Sequence, residues 1–432
     1  MNKSKNKLVP VLRFPEFVDD GEWKETSLGS ITKVISNRNK KNKDLPVYSI
    51  NNKEGFLPQS EQFEGINSKH RGYDISLYKI IKKNTFAYNP ARINIGSIGY
   101  SGNLEDIIIS SLYVCFNTKE EIDDYFLNYF FKSTEFLKRV NRNTEGGIRN
   151  YLFYKSFSKI NVSISSIAEQ QKIAACLLSL DDLITAHKDK LTALTEHKKG
   201  LMQNLFPQQG QKVPNYRFKE FMNDEEWIIE PFGNVYDLLV TNSFSRAKLN
   251  YGSGEVKNIH YGDIHKKYSV WFDITKEEVP FINSDVLIER IDEENYCIEG
   301  DIIFADASED LSDIGKSMEI ININKEKLLA GLHTLQARQI NNKLEIGFGG
   351  YLFKSGNNRN QIKREAQGAK VLGISKTRLS EIKLNYPKNK LEQKKITACL
   401  STLDNMINAH QDKINQLDLH KKGFLQGLFP KV

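Results

Sequence analysis

The side chains able to do chemistry in this chain do not assemble into a reaction. Cys115, Cys176, Cys297 and Cys399 stand far apart, with no C-x-x-C pair and no histidine cluster at metal-ligand spacing, so they read as buried thiols. Asp301, Asp306 and Lys316 could mimic the acidic and basic groups of a nuclease, but loose Asp and Lys spacings occur in any chain and assign no catalysis. Gly252-Ser253-Gly254 lacks the Lys-Ser/Thr ending of a phosphate loop, which leaves ATP binding unsupported. An adenine methyltransferase grips its flipped base with an N/D-P-P-Y/F loop, and Asn89-Pro90-Ala91-Arg92 is the nearest approach to one.

The chain is also rich in side chains of the kinds that contact nucleic acid. Phosphates call for Lys or Arg, and base edges for Arg, Lys, Asn or Gln. In the first half the candidates are Lys69, Arg71, Tyr88, Asn89, Arg92 and Asn94, with Arg149, Asn150 and Tyr151 beside Gly146-Gly147. In the second half they are His260, Tyr261, Lys266, Lys267 and Tyr268, then Asn357, Asn358, Arg359, Lys363, Arg364 and Lys370. Charge agrees with this split. The chain carries net +7. Residues 1–168 hold 25 basic against 18 acidic groups, residues 208–342 hold 14 against 24, and residues 343–390 hold 11 against 3. The second half should therefore concentrate its positive charge on one face.

The elements that position these residues are written twice. VPVLRFPEFVDDGEWKETSLGSI from Val9 returns as VPNYRFKEFMNDEEWIIEPFGNV from Val213, and the segment Glu169 to Pro207 returns as Glu392 to Pro430 with 23 of 39 positions identical. Trp23 and Trp227 occupy matching places in this frame, which assigns them to core packing rather than to reading. Between the paired segments, residues 32–158 and 236–380 share almost nothing that aligns: two frames alike, two inserts different.

The second repeated segment has helical periodicity. Ile173, Leu177, Leu180, Ile184, His187, Leu191, Leu194, Lys198, Leu201 and Leu205 step by four and three, as do Ile396, Leu400, Leu403, Ile407, His410, Ile414, Leu417, Lys421, Phe424 and Leu428. His187 and His410 read as polar residues fixing register rather than as a pH switch or a ligand. Ser166 with Glu169 fits a capping box, Asn389 offers the equivalent cap, and Pro207 and Pro430 mark the stops. A helix of this length, about 57 Å at 1.5 Å per residue, needs a partner along it. The short link Pro207 to Lys212 favours antiparallel pairing of the two copies, giving a dumbbell or closed ring with one lobe at each end. One turn of B-DNA, about 34 Å, fits within such a spacer.

The repeated segment, together with the VP-RF-EF-W phrase and the stretches Phe86 to Tyr100 and Gly300 to Asp310, resembles the specificity subunits of type I restriction-modification methyltransferases, and the likeness covers essentially the whole chain. The resemblance implies an α/β fold: two pseudo-symmetric target recognition domains of mixed β-sheet and short helices, at 1–165 and 208–388, joined by two long antiparallel coiled-coil helices at 166–207 and 389–432. It implies that each lobe reads half of a gapped double-stranded DNA target and that two modification subunits dock on the chain, with restriction subunits completing the complex. S-adenosylmethionine, ATP and Mg would belong to those partners, with no catalysis, cofactor or metal here. Three rivals are a specificity chain serving a fused type II nuclease-methyltransferase, a coiled-coil protein-binding scaffold, and an enzyme acting alone. No run of about 18 apolar residues suggests a membrane span, and MNKSKNK is followed by no signal-peptide core, so the expected place is the cytoplasm. Strands are expected in Ile107 to Phe116 and Glu319 to Ile323.

Overall fold

The computed structural model describes residues 8–63, 65, 68–143, 151–289 and 291–431. The chain divides into two compact units, Met1–Asp189 with Gln411–Val432, and Lys190–His410. Each unit therefore contains one lobe and portions of both long helices.

In the first unit, one antiparallel sheet runs in the order Thr32–Ile35, Val114–Thr118, Phe86–Tyr88, Ile98–Tyr100. A second has the order Gly55–Pro58, Val47–Asn51, Ile107–Ile109, Lys79–Ile81, and its two middle strands are parallel. The segment Ile107 to Phe116, expected as one strand, is two: the chain leaves one sheet at Ile109 and joins the other at Val114.

The second unit repeats this plan. Its larger sheet has the order Tyr236–Leu239, Thr334–Gln339, Ile302–Ala305, Ser317–Asn322, with Trp271–Asp273 added in parallel at the edge. Its smaller sheet again holds a parallel pair, Val256–Ile259 with Lys327–Ala330. The registers coincide: Phe116 faces Val34 and Phe86, and Ala337 faces Leu238 and Ile302. The inserts that share almost nothing in sequence thus share both sheets. Short strands tolerate any apolar residue that fills the pleat, so Phe116 and Ala337 do the same job with no trace of identity.

Each lobe closes over an aromatic core. In the first, Phe86, Tyr88, Phe116, Phe131 and Phe157 pack together and Trp23 lies 5.7 Å from Phe126. In the second, Phe232, Tyr236, Phe304 and Phe353 play that part and Trp227 packs on Phe206. Both tryptophans are buried, as the repeat requires.

The long helices are Ile167–Leu205 and Lys390–Gly427. In the first unit, Ile173, Ala174 and Leu177 at the start of one share a cluster with Leu428 and Phe429 at the end of the other. In the second unit, Leu205 and Phe206 share a cluster with Ile396 and Leu400. Both contacts require antiparallel pairing. Every seam position is buried or half-buried, His187 and His410 among the half-buried ones. The seam lysines have specific partners: Lys421 reaches Asp181, and Lys198 reaches Asp404. The cap at Ser166 forms, its hydroxyl accepting the Glu169 N–H at 3.4 Å, but the return arm of a capping box does not, because the Glu169 carboxylate is held by Arg13. Of the four cysteines only Cys115 and Cys297 are buried; Cys176 and Cys399, at matching helix positions, are half-exposed, a correction to the reading of all four as buried. No helix among the described residues is long and apolar enough to cross a membrane.

Candidate nucleic-acid interface

Three polar constructions recur in both units and fix each lobe on its helices. The first is a bidentate ion pair. Arg13 donates to Glu169 at 2.8 and 2.9 Å, and Arg217 donates to Glu392 at 2.8 and 2.7 Å. Both carboxylates are 1% exposed, and hydrogen bonding to them holds each guanidinium above its ordinary pKa.

The second is the buried glutamine that follows each glutamate. Gln170 takes the Asp123 N–H at 2.9 Å and donates to Ser165 O at 2.9 Å, while Gln393 takes the Glu345 N–H at 2.7 Å and donates to Pro387 O at 2.8 Å. The third joins lobe to helix through tyrosine. Tyr129 donates to Asp181 at 2.7 Å and Tyr351 to Asp404 at 2.7 Å, with the seam lysines 421 and 198 over the respective rings at 5.7 and 5.5 Å. These tyrosines lie inside the inserts. Their signal was legible as Tyr129-Phe130-Phe131-Lys132-Ser133 against Tyr351-Leu352-Phe353-Lys354-Ser355, a third repeat missed in the sequence.

With the frame so fixed, the connections between strands are left to face outward. In the first lobe the Asn89–Arg92 loop is folded by Asn89, whose side-chain oxygen accepts the Ala91 N–H at 3.0 Å, and Pro90 O accepts the Leu152 N–H at 3.0 Å. That bond brings Tyr151, exposed and stacked on Phe153 at 5.7 Å, beside this loop. Arg92 is exposed and acts electrostatically on Tyr113 in the neighbouring connection; Asn94 is half-buried. Arg71 is exposed over the Phe63 ring at 4.7 Å, and Lys69 pairs with Asp44. Arg149 and Asn150 lie outside the described residues. Tyr88 is fully buried against Phe157 at 4.9 Å, so it is core rather than contact.

In the second lobe four segments meet: the helix Tyr261–Lys266, the connection after Ile302–Ala305, the connection Gly331–His333, and the exposed loop at 367–371. Ala307 pairs with Gly373, Asp306 N–H bonds His333 O at 3.1 Å, and His265 reaches Ala307 O at 3.1 Å. Of the sequence candidates, Tyr261, Lys266 and Lys370 belong to this surface. Lys267 is exposed but engaged with Tyr251 at 3.1 Å and Glu278 at 3.6 Å. Asn357 and Lys363 are half-buried, and Arg364 is exposed, donating to Gln209 at 3.0 Å.

Four further candidates are corrected by their surroundings. His260 is buried and caps its helix, accepting the Gly262 N–H at 3.2 Å, and burial lowers its pKa. Tyr268 is buried on Phe272 at 5.1 Å. Asn358 is buried and donates to Leu352 O at 2.9 Å, and Arg359 spends its guanidinium on the carbonyls of Ser312, Ile314 and Gly315 at 2.7 to 2.9 Å. The nuclease-like residues are equally committed: Asp301 to Arg338, Asp306 to His333, and Lys316 to His265 O. Among the described residues no three His, Cys, Asp or Glu side chains gather to hold a metal.

The comparisons agree with this geometry. The family model described as the type I restriction modification DNA specificity domain matches residues 20–196 and again 247–419. The type I restriction enzyme MjaVIII specificity subunit of Methanocaldococcus jannaschii is 26% identical over 95% of this chain and 92% of its own length. The crystal structure of a type I restriction-modification S subunit from M. genitalium covers 98% of this chain and 100% of its own at TM-score 0.59 and 12% identity. A structure described as the basis of complex assembly and conformational transition of the type I R-M system gives TM-score 0.52 over 93% of this chain and 96% of its own, at 14% identity. Two matches of one domain model, one on each lobe and together spanning most of the chain, place this chain in the type I restriction-modification DNA specificity family.

Proposed function

We propose that this chain is the DNA-reading subunit of its complex and transfers no group itself. Each lobe recognises one half of a gapped duplex target through its outward connections, and the length of the two helices sets the gap between halves. Two modification subunits dock on the repeated surfaces, restriction subunits join through them, and S-adenosylmethionine, ATP and Mg reside on those partners, all in the cytoplasm. The observation that carries the reading is the contrast between invariant frame and changed tips. The Arg–Glu, Gln and Tyr–Asp–Lys constructions are the same in both units, whereas the connections between equivalent strands carry unlike residues. A reader of two unlike half-sites needs that division; a scaffold holding identical partners gains nothing from it. The experiment is to express the chain with its modification subunits in a host free of other adenine methylation and sequence the methylated positions. A gapped, asymmetric motif is expected, and the purified chain alone should transfer no methyl group. Methylation by the chain alone would refute the assignment.

A further inference from the structure

The shared register allows tip positions to be compared one to one. In each lobe the chain leaves the smaller sheet, at Ile109 or Ala330, and enters the strand paired on both sides in the larger one. Four residues before Phe116 stands Leu112, and four before its equivalent Ala337 stands His333. Leu112 is 79% exposed and the His333 side chain is 51% exposed. A single exposed leucine is ordinary on a protein surface. Here the same position in the connection ahead of that strand is exposed in both lobes, carries unlike chemistry, and lies beside candidate contact residues, Arg92 near Tyr113 in one lobe and Tyr261 against His333 in the other.

The loops around these residues are built rather than slack. His333 has φ +55°, a left-handed conformation unusual for a residue with a Cβ. It is held there by the Asp306 N–H bond to its carbonyl at 3.1 Å and by Thr334 Oγ1 donating to Gly331 O at 2.6 Å. Gly331 admits no side chain, since a Cβ would come within 2.3 Å of Asn258 Nδ2. His333 Nδ1 lies 3.3 Å from Asp306 Oδ1, and the Tyr261 ring stands edge-on at 5.3 Å. In the first lobe Ser110 folds the turn, accepting Tyr113 N–H at its carbonyl at 3.2 Å.

We propose that Leu112 and His333 are the paired base-reading positions of the two lobes, Leu112 making an apolar contact to a thymine methyl group in one half-site and His333 a hydrogen bond to a base edge in the other. This rests on the recognition function proposed above. The C5-methyl of thymine is the only apolar feature of the major-groove edge, and it is what a bare leucine can sense. With Nδ1 of His333 engaged by Asp306 Oδ1, Nε2 is the ring nitrogen left to hydrogen-bond a base edge.

The test uses the full chain assembled with its modification subunits, with the methylated motif as readout. Leu112→Ala should relax preference at one position of one half by roughly 10-fold, and His333→Ala should do the same in the other half only. Leu112→Met and His333→Gln, which keep an apolar and a hydrogen-bonding side chain, should retain the motif, showing that the loop and the assembly survive substitution. If both alanine variants methylate the wild-type motif with unchanged preference, or if either relaxes both halves, the proposal is overturned. A wild-type complex that leaves no gapped motif defeats the recognition function itself, and this inference with it.

Discussion

Replacing Arg217 by alanine should reveal what holds the second lobe to its helices. Its guanidinium makes two bonds to Glu392, 2.8 and 2.7 Å long, and a third to Asp224 O at 2.9 Å, while the Trp227 indole donates to the same carboxylate at 3.3 Å. Glu392 is 1% exposed and the Arg217 side chain 10%, so water screens little of the interaction. Removing the arginine strands a desolvated carboxylate, a loss of about 3–5 kcal/mol. Removing both charges is a different perturbation. With Arg217→Met and Glu392→Met together, neither ion needs a partner, and the residual cost should be about 1 kcal/mol for the orphaned indole N–H. Urea unfolding followed by circular dichroism compares the wild type, the single variant and the double variant. The double variant should be the more stable of the two. An Arg217→Ala protein within about 1 kcal/mol of wild type, or a double variant less stable than the single, would refute the view that this pair is kept by the penalty of breaking it.

Tyr129→Phe and Tyr351→Phe each remove one hydroxyl bond to a helix aspartate, and each should cost about 1–2 kcal/mol, with the two losses equal within error in unfolding experiments. Leu400→Ala, at 0% exposure in the shared cluster, should cost about 2–5 kcal/mol, whereas Leu419→Ala at 68% exposure on the same helix should cost less than about 0.5 kcal/mol. Glu319 is buried beneath the helix Phe348–Lys354, accepting the Gly347 and Gly350 N–H groups at 2.7 Å each, and burial raises its pKa from 4.5 to about 7. The folded state therefore binds this proton more tightly than the unfolded chain; the stability it contributes is full below about pH 4.5 and is lost as pH rises through about 7. Between pH 5 and pH 8 the wild type should lose up to about 3 kcal/mol relative to Glu319→Gln, and parallel stability curves would contradict this. Exchanging residues 236–380 for another member's insert should change one half of the methylated motif and leave the other intact; a change in both would count against independent lobes.

The parts of this molecule legible in its sequence are those where one physical demand acts on many residues at once. A seam that must bury an apolar stripe along a helix repeats every three or four positions, so the helices, their antiparallel contacts and even the matched lysines at 198 and 421 could be read directly. Of the sheets, individual strands were legible, as at Glu319 to Ile323, which overlaps Ser317–Asn322, but their shared order in the two lobes was not, because a strand of three to six residues asks only that its inward side chains fill space, and Phe116 and Ala337 both satisfy that at one position. The recognition surface was harder still, for a reason that residue type cannot repair. Tyr88, Tyr268 and Asn358 have polar side chains suited to nucleic acid yet are buried, while Leu112, which a search for charged and polar contacts passes over, is 79% exposed. Type limits what a contact could be; backbone register decides whether a side chain is offered at all. A chain that must change its target while keeping its partners can vary such tip positions freely, because the ion pairs and tyrosine bonds that fix each lobe lie elsewhere in the fold. The same separation that lets the tips vary removes them from every repeated pattern in the sequence, so they become visible only when the two lobes are compared strand by strand.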